Sequence, residues 1–315
     1  MKKYNINFPE DIFTQNARKT VQFKQLDNGL RSAVANIDVM FCGIVRNSSQ
    51  NLERNIQRIK NSMSFFNNTV AFIYENNSTD GTKEILKEYE GNDLRVLSED
   101  IDDANYTMQE EPDEVYRRCS KIAAARNKYM EFVEDNHKNF PVTVILDLDL
   151  IGGWSYEGLY TNVFNLLNNK LYDNIGAVTS YGVISSAMQN WEKLRLEDSD
   201  PHDYKMYDSF AFREFDWYKR EVQEEKEFGL TRERQALYND ISRPSGNTKV
   251  LSNFGGLGIY KSDVIKDLRY RSQKYEDANA DSEHVPFHRS MYNKKGKAVS
   301  INNRNIVSYS PHRYV

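Results

Sequence analysis

Asp147 and Asp149 stand two residues apart at the carboxyl end of the predominantly apolar run Val142–Leu146. While such a run stays extended, side chains two apart leave the same face, with Cα atoms roughly 6.6 Å apart. Open α/β sheets bind ligands beyond the carboxyl ends of their strands. Two hard carboxylates projecting there suit Mn2+ or Mg2+ bridged to a diphosphate; the alternative is a pair of solvated turn aspartates. The apolar strand before the pair and Gly152-Gly153 after it favour the metal reading.

A second constellation, Glu75-Asn76-Asn77-Ser78-Thr79-Asp80-Gly81-Thr82, directly follows the apolar stretch Val70–Tyr74. A carboxylate at a strand end, Glu75, can accept hydrogen bonds from a ribose or base, whereas Ser78, Thr79 and Asp80 also read as caps of the next helix. Arg126 falls on the stripe Val115, Cys119, Ile122, Tyr129 and Val133 of a long helix, where an unpaired guanidinium carries a heavy desolvation cost. The anion it requires is a structural carboxylate, a donor phosphate or one of the paired aspartates.

Near the carboxyl end, Asp281-Ser282-Glu283-His284-Val285-Pro286-Phe287-His288-Arg289 places a carboxylate and two imidazoles at a helix start. Glu283 is a candidate base for an acceptor hydroxyl, or a residue simply favoured at a helix amino terminus. His312 reads as a third metal ligand or as a lone surface histidine. Gly255-Gly256-x-Gly258 is neither a dinucleotide fingerprint nor a Walker sequence, and marks a close approach of backbone to a sugar or to another strand.

The elements that must position these groups follow from periodicity. Strand-like runs at 37–45, 70–74 and 94–98 alternate with helical patterns through Leu52, Ile56, Ile59 and Met63, and through Ile85, Leu86 and Tyr89. A helix over 113–135, the strand 142–146, a helix over 156–169 and a strand at 175–181 follow; strand-like 249–260 and a helix over 282–292 complete the series. That order predicts a mostly parallel central sheet covered by helices. Residues 1–36 form an amino-terminal arm, 37–184 one half of the domain, 185–247 an insertion rich in aromatics such as Trp191, Tyr207, Trp217 and Tyr218, and 248–315 the other half with the tail.

Composition sets outer limits. A chain of 315 residues with 39% hydrophobic content can bury one large core. A net charge of −4 argues against electrostatic binding of nucleic acid. Cys42 and Cys119, in apolar surroundings without metal-type spacing, read as reduced thiols. No window reaches the length of a membrane span, so the expectation is a cytoplasmic protein, with peripheral membrane contact left open.

Taken in order, I-V-R-N at Ile44–Asn47, E-N-N-S-T-D-G-T at Glu75–Thr82, A-A-A-R-N ending at Asn127 and L-D-L-D ending at Asp149 resemble the GT-A glycosyltransferases, which have a Rossmann-like sheet. The resemblance implies transfer of a sugar from a nucleotide-sugar donor, GDP- or UDP-linked, to a glycan or glycoconjugate acceptor with Mn2+ or Mg2+. It makes 37–184 the nucleotide-sugar half and 185–247 an acceptor-side insertion. Carried over by motif, it implies donor contacts from Arg46, Glu75, Asn77, Asp80, Arg126, Asp147 and Leu148, metal binding by Asp149 with His312, catalysis by Asp149 and Glu283, and an acceptor side at Gly255, Gly256 and His284. Y-D-S-F-A-F-R at Tyr207–Arg213, with G-G-L-G-I-Y and S-E-H-V-P-F-H, looks like the group of capsule-associated α-1,3-mannosyltransferases. Those relatives typically carry a membrane anchor, and a cytosolic bacterial or viral version is expected here. A nucleotidyltransferase usually opens with a Gly-rich basic loop, which Arg46-Asn47-Ser48-Ser49 does not supply; a non-catalytic carbohydrate-binding protein is the reading from a different class.

Overall fold

Val39–Val45 (β1), V-M-F-C-G-I-V, is buried at six of its seven positions, as a strand covered on both faces must be. It belongs to a ten-stranded sheet among the described residues of the computed structural model, which are 4–8, 10, 21–102, 114–185, 204–215, 247–275 and 278–309. The helix α1 (Val21–Val34) precedes β1. After it come α2 (Ser49–Met63), β2 (Thr69–Asn76), α3 (Thr82–Tyr89), β3 (Leu94–Glu99), α4 (Glu114–Asn136), β4 (Val142–Asp147), β5 (Gly153–Trp154) and α5 (Tyr156–Asn168). The chain continues through β6 (Ile175–Ser185), β7 (Tyr204–Met206), β8 (Asn247–Val250), β9 (Leu257–Lys261), β10 (Gln273–Tyr275), β11 (Ala278–Asp281), α6 (His284–Lys295) and β12 (Ala298–Tyr309).

The sheet order is β3-β2-β1-β4-β9-β6-β12-β5. Strands β3, β2, β1 and β4 are mutually parallel, and β6 pairs parallel with β12; β9 lies antiparallel between β4 and β6. The six long strands therefore share one direction, and the mixed α/β sheet is mostly parallel with helices packed on it, the architecture expected of a GT-A enzyme. Among the described residues no helix is long and apolar enough to cross a membrane.

Three details depart from the sequence-based expectation. The run 249–260 is two strands, β8 and β9, because Gly255 and Gly256 adopt φ of 66° and 87° and interrupt extended backbone. Strand β12 escapes the hydrophobic pattern because its middle is polar; Asn302 is nevertheless buried there and donates to Oδ1 of Asn162 at 2.7 Å. The arm is tied to the domain: Phe8 and Val34 join the core, and Glu10 accepts from the Tyr156 N–H at 2.6 Å and the Glu157 N–H at 3.1 Å at the start of α5. A carboxylate at that end satisfies donors no helix can satisfy internally.

Candidate active site

A cleft of about 310 Å3 opens at the carboxyl ends of β1, β2 and β4, lined there by Arg46, Asn76, Asp147 and Asp149. Helix α4 forms one wall through Arg118, Lys121 and Ala125, spaced three and four residues apart and so on one helix face, with Arg126 adjoining. Glu283 and His284 come from the start of α6, and Tyr207 and Asp208 from the segment after β7.

Strand β4 ends at Asp147, and Leu148 and Asp149 lie in a turn. Continued extension therefore does not explain the shared direction of the two aspartates, as the sequence suggested; the turn brings both to the cleft. Side chains beneath it hold that turn. Asn55 of α2 donates its Nδ2 to the Leu148 carbonyl at 2.9 Å and the Leu150 carbonyl at 2.7 Å. Arg58, one helical turn on, donates to the carbonyls of Ile151 at 3.2 Å and Gly152 at 3.1 Å. Gly153, at φ 88°, makes room: a Cβ there would lie 2.7 Å from the Arg58 guanidinium. From the other side, the Asp147 N–H donates to the Gly256 carbonyl at 3.0 Å.

Arg126 finds its anions as predicted for a buried cation. Its Nε donates to Glu283 Oε1 at 2.9 Å and its Nη2 approaches Asp147 Oδ1 at 3.4 Å, while the guanidinium carbon lies 5.1 Å from the ring centre of Phe254. The Tyr207 hydroxyl donates to the other Asp147 oxygen at 3.1 Å. Burial pushes the Asp147 carboxyl up to about 6, opposed by Arg126 and the Tyr207 hydroxyl and reinforced by Asp149 and Glu283. Asp208 is driven well above the carboxylate range, by burial first and then by Asp147 and Glu283. The floor of the cleft is thus crowded with acid.

The turn after β2 behaves differently. Glu75 is wholly buried and does not line the cleft: its Oε1 accepts from the Ser78 N–H at 2.7 Å and its Oε2 from the Ser98 hydroxyl. Asn77 closes its amide on the backbone of Ile101, at 2.7 and 2.8 Å. Asp80 accepts from the Thr82 N–H at 3.2 Å and the Ser49 N–H at 3.0 Å, joining the starts of α3 and α2. These three residues, expected at the donor, are committed to the turn; the β2 residues facing the cleft are Tyr74 and Asn76. The capping alternative accounts for these hydrogen bonds, since the carboxylate and amide oxygens already have partners in the turn or on the neighbouring strand.

Gly255 and Gly256 are buried and do not line the cleft. A Cβ on Gly255 would sit 2.3 Å from the Ser180 carbonyl, so its glycine permits contact with β6, the strand rather than the sugar alternative. His284 does line the cleft, stacked 4.0 Å from the ring of Phe254, and burial followed by the charge of Arg126 holds its imidazole neutral. Behind it, Arg213 donates to Asp281 at 2.6 Å, fixing the segment that carries Glu283. Leu148 meets the cleft from a buried position, and Arg46 from an exposed one. His312, Trp191, Trp217 and Tyr218 lie outside the described residues. Sequence reasoning missed Asn55, Arg58 and Asp208 as parts of this site; only Asp208 carried a signal, as the acid within Y-D-S-F-A-F-R.

For a divalent cation the donor chemistry fits in part: Asp149 is a hard oxygen donor beside the cleft, whereas Asp147 already meets Arg126 and Tyr207. Among the described residues no three His, Cys, Asp or Glu side chains gather closely enough to hold an ion by themselves.

Residues 38–289 match the family described as Cryptococcal mannosyltransferase 1. No curated protein matches the sequence. Among solved structures, the chain is similar to a mannosyltransferase from Pyrobaculum calidifontis in complex with GDP-Man and Mn2+, at 14% identity and TM-score 0.47, covering 93% of this chain and 68% of that one. It is also similar to TarS of S. aureus, at 12% identity and TM-score 0.45, covering 87% of this chain and 60% of that one. A third is glucosyl-3-phosphoglycerate synthase from M. tuberculosis in complex with Mn2+, UDP and phosphoglyceric acid, at 12% identity and TM-score 0.39, covering 90% and 72%.

Proposed function

The chain belongs to the Cryptococcal mannosyltransferase 1 family and is an enzyme of glycosyl transfer, and from that premise we propose that it moves a hexose, mannose foremost, from a nucleoside-diphosphate sugar to a hydroxyl of a glycan or glycoconjugate. The observation that carries this reading is Arg126 held between Asp147 and Glu283. One cation thereby joins the strand end suited to a diphosphate to the helix start suited to an acceptor. Arg46, Arg118 and Lys121 on the cleft wall favour an anionic donor.

Asp149 would hold Mn2+ or Mg2+, which when bound neutralises charge on the departing nucleoside diphosphate. Asp147, fixed by Arg126 and the Tyr207 hydroxyl, orients the donor beside it. Glu283 has Oε1 committed to Arg126, so Oε2, approached by the Ser282 hydroxyl at 3.5 Å, is the oxygen that would take the proton of an acceptor hydroxyl. His284, neutral and packed on Phe254, shapes the acceptor side and excludes water.

The test is a panel of nucleotide sugars, GDP-mannose and several UDP-sugars, measured for thermal stabilisation and for donor hydrolysis with and without Mn2+. Stabilisation and hydrolysis by one nucleotide class are expected. Absence of stabilisation by any nucleotide in the presence of Mn2+ overturns the reading.

A further inference from the structure

The Y-D-S-F-A-F-R segment, Tyr207–Arg213, bridges the two ends of the cleft. At one end the Tyr207 hydroxyl donates to Asp147 at 3.1 Å; at the other Arg213 pairs with Asp281, two residues before Glu283, at 2.6 Å. Between these anchors Asp208 lines the cleft. The segment is also held from behind: the Tyr207 N–H donates to the Gly182 carbonyl at 2.8 Å, its ring stacks 4.4 Å from that of Tyr309, and the Ala211 N–H donates to the Asp208 carbonyl at 3.0 Å.

Asp208 occupies the left-handed region at φ 61°. Among the described residues, only Asn47 and Asn77 share a positive φ without being glycine. Both asparagines use their side chains to close turns: Asn47 Oδ1 accepts from the Thr79 N–H at 2.9 Å, and Asn77 is paired with Ile101. Asp208 also accepts a backbone hydrogen bond, from the Gly255 N–H, but unlike the two asparagine turns its carboxyl is at the cleft, within the field of Asp147 and Glu283. A strained conformation retained at a cleft, and over-determined by its neighbours, is a mark of a functional position. A carboxyl placed there among other acids costs stability, and a fold builds such a position where a ligand compensates it.

We propose that Asp208 contacts the sugar being transferred and sets which hexose is accepted, its carboxyl hydrogen-bonding hydroxyls of the ring that lies between the donor diphosphate and the acceptor. The placement favours this portion of the ligand: Asp208 lines the same cleft as Asp147, Asp149 and Glu283, beside a ligand that reaches from the first two to the last. A sugar hydroxyl both donates and accepts, so it pairs with a carboxyl in either protonation state. Loss of such a hydrogen-bonded contact from a site built for it is read as loss of discrimination between hydroxyl epimers. The proposal rests on the transferase reading above.

Asp208→Gly tests it with least disturbance, because glycine accepts the same φ without strain. Titration calorimetry with Mn2+ present compares GDP and UDP alone with their sugar conjugates, mannose against glucose and galactose. The wild-type protein is expected to prefer one epimer, and the variant to bind the bare nucleotide as before while that preference falls about 10-fold or more. An unchanged epimer ratio overturns the proposal, as does an equal loss for bare nucleotide and conjugate, which marks Asp208 as a shaping residue only. If Asp208→Gly shows no cooperative thermal transition, Asp208→Asn, isosteric and tolerant of positive φ, is judged by the same ratio. Wild-type protein that binds no nucleotide overturns the transferase reading itself, a result distinct from an unchanged ratio.

Discussion

Arg126 Nε and Glu283 Oε1 lie 2.9 Å apart across 157 residues of chain, both side chains 6% exposed. The pair pins the amino-terminal turn of α6 to the face of α4, and the same guanidinium reaches Asp147 at the end of β4. Three elements thus meet on one charge. Its removal strands two carboxylates in a site already crowded with acid.

Arg126→Met is therefore expected to destabilise the protein by about 3–5 kcal/mol, the usual cost of breaking one side of a buried pair. Urea unfolding of Arg126→Met, Glu283→Gln and the double variant forms a cycle that isolates the coupling. The double variant should be less destabilised than the sum of the single ones. Strict additivity would show that the contact contributes nothing.

Asp149 lies in the turn after β4 and lines the cleft, whereas Asp147 ends the strand and meets Arg126. Asp149→Ala should reduce turnover by roughly 100-fold or more, since an electrostatic partner of the leaving group is among the larger catalytic contributions. The variant should also lose the rate response to added Mn2+ while its unfolding midpoint stays near that of wild type. A chelator should bring the wild-type enzyme to the same residual rate. Turnover of Asp149→Ala that still responds to Mn2+ would remove Asp149 from the metal assignment.

Much of this site was legible because its chemistry coincides with strong local patterns. Asp147 and Asp149 come at the end of a strand buried at five consecutive positions, and Arg126 sits on an apolar stripe where a lone cation has to find an anion. Elsewhere a local pattern meets a competing structural demand. Glu75, Asn77 and Asp80 looked like ligand-binding polar groups, but a turn between buried elements must also satisfy its own backbone, and here it consumes them. Strand β12 and the supporting pair Asn55 and Arg58 were invisible for the reverse reason: the contacts that tie them into the fold reach partners more than 90 residues away, as in Asn55 with Leu148 and Asn302 with Asn162, and no local spacing encodes that.

Arg58 makes the next prediction. It is 5% exposed, its burial lowers its affinity for a proton to a pKa of about 10, and its hydrogen bonds go to carbonyls at 3.2 and 3.1 Å and to Asn55 Oδ1 at 2.8 Å. Arg58→Met should cost about 1–3 kcal/mol for the carbonyls left unpaired. If the residue positions the turn, Mn2+-dependent nucleotide binding should weaken as well, and Arg58→Lys should recover part of that binding. Nucleotide affinity equal to wild type in Arg58→Met would confine Arg58 to a purely structural part.

His288 gives the clearest pH dependence. Its Nδ1 lies 3.0 Å from the Ser252 hydroxyl and its Nε2 2.9 Å from the Tyr260 hydroxyl, and burial, aided by Arg126, pushes its pKa down to about 3. An unfolded histidine titrates near 6.5. Between these values the unfolded chain binds the proton and the folded one does not, so this group's stabilising contribution is complete above about 6.5 and is lost progressively as pH falls towards 3. Asp147, raised to about 6, works in the opposite direction: the folded state holds its proton more tightly, and its penalty is relieved as pH drops through 6. The two effects overlap, so the slope of the wild-type curve alone does not separate them. The difference between wild type and His288→Gln does, because Asp147 is common to both. Urea midpoints measured from pH 7 to pH 4 should show wild type losing stability relative to His288→Gln as the solution is acidified, with the two curves parallel above about pH 7. A difference that stays constant across this range would mean that His288 changes protonation no more on folding than its replacement does.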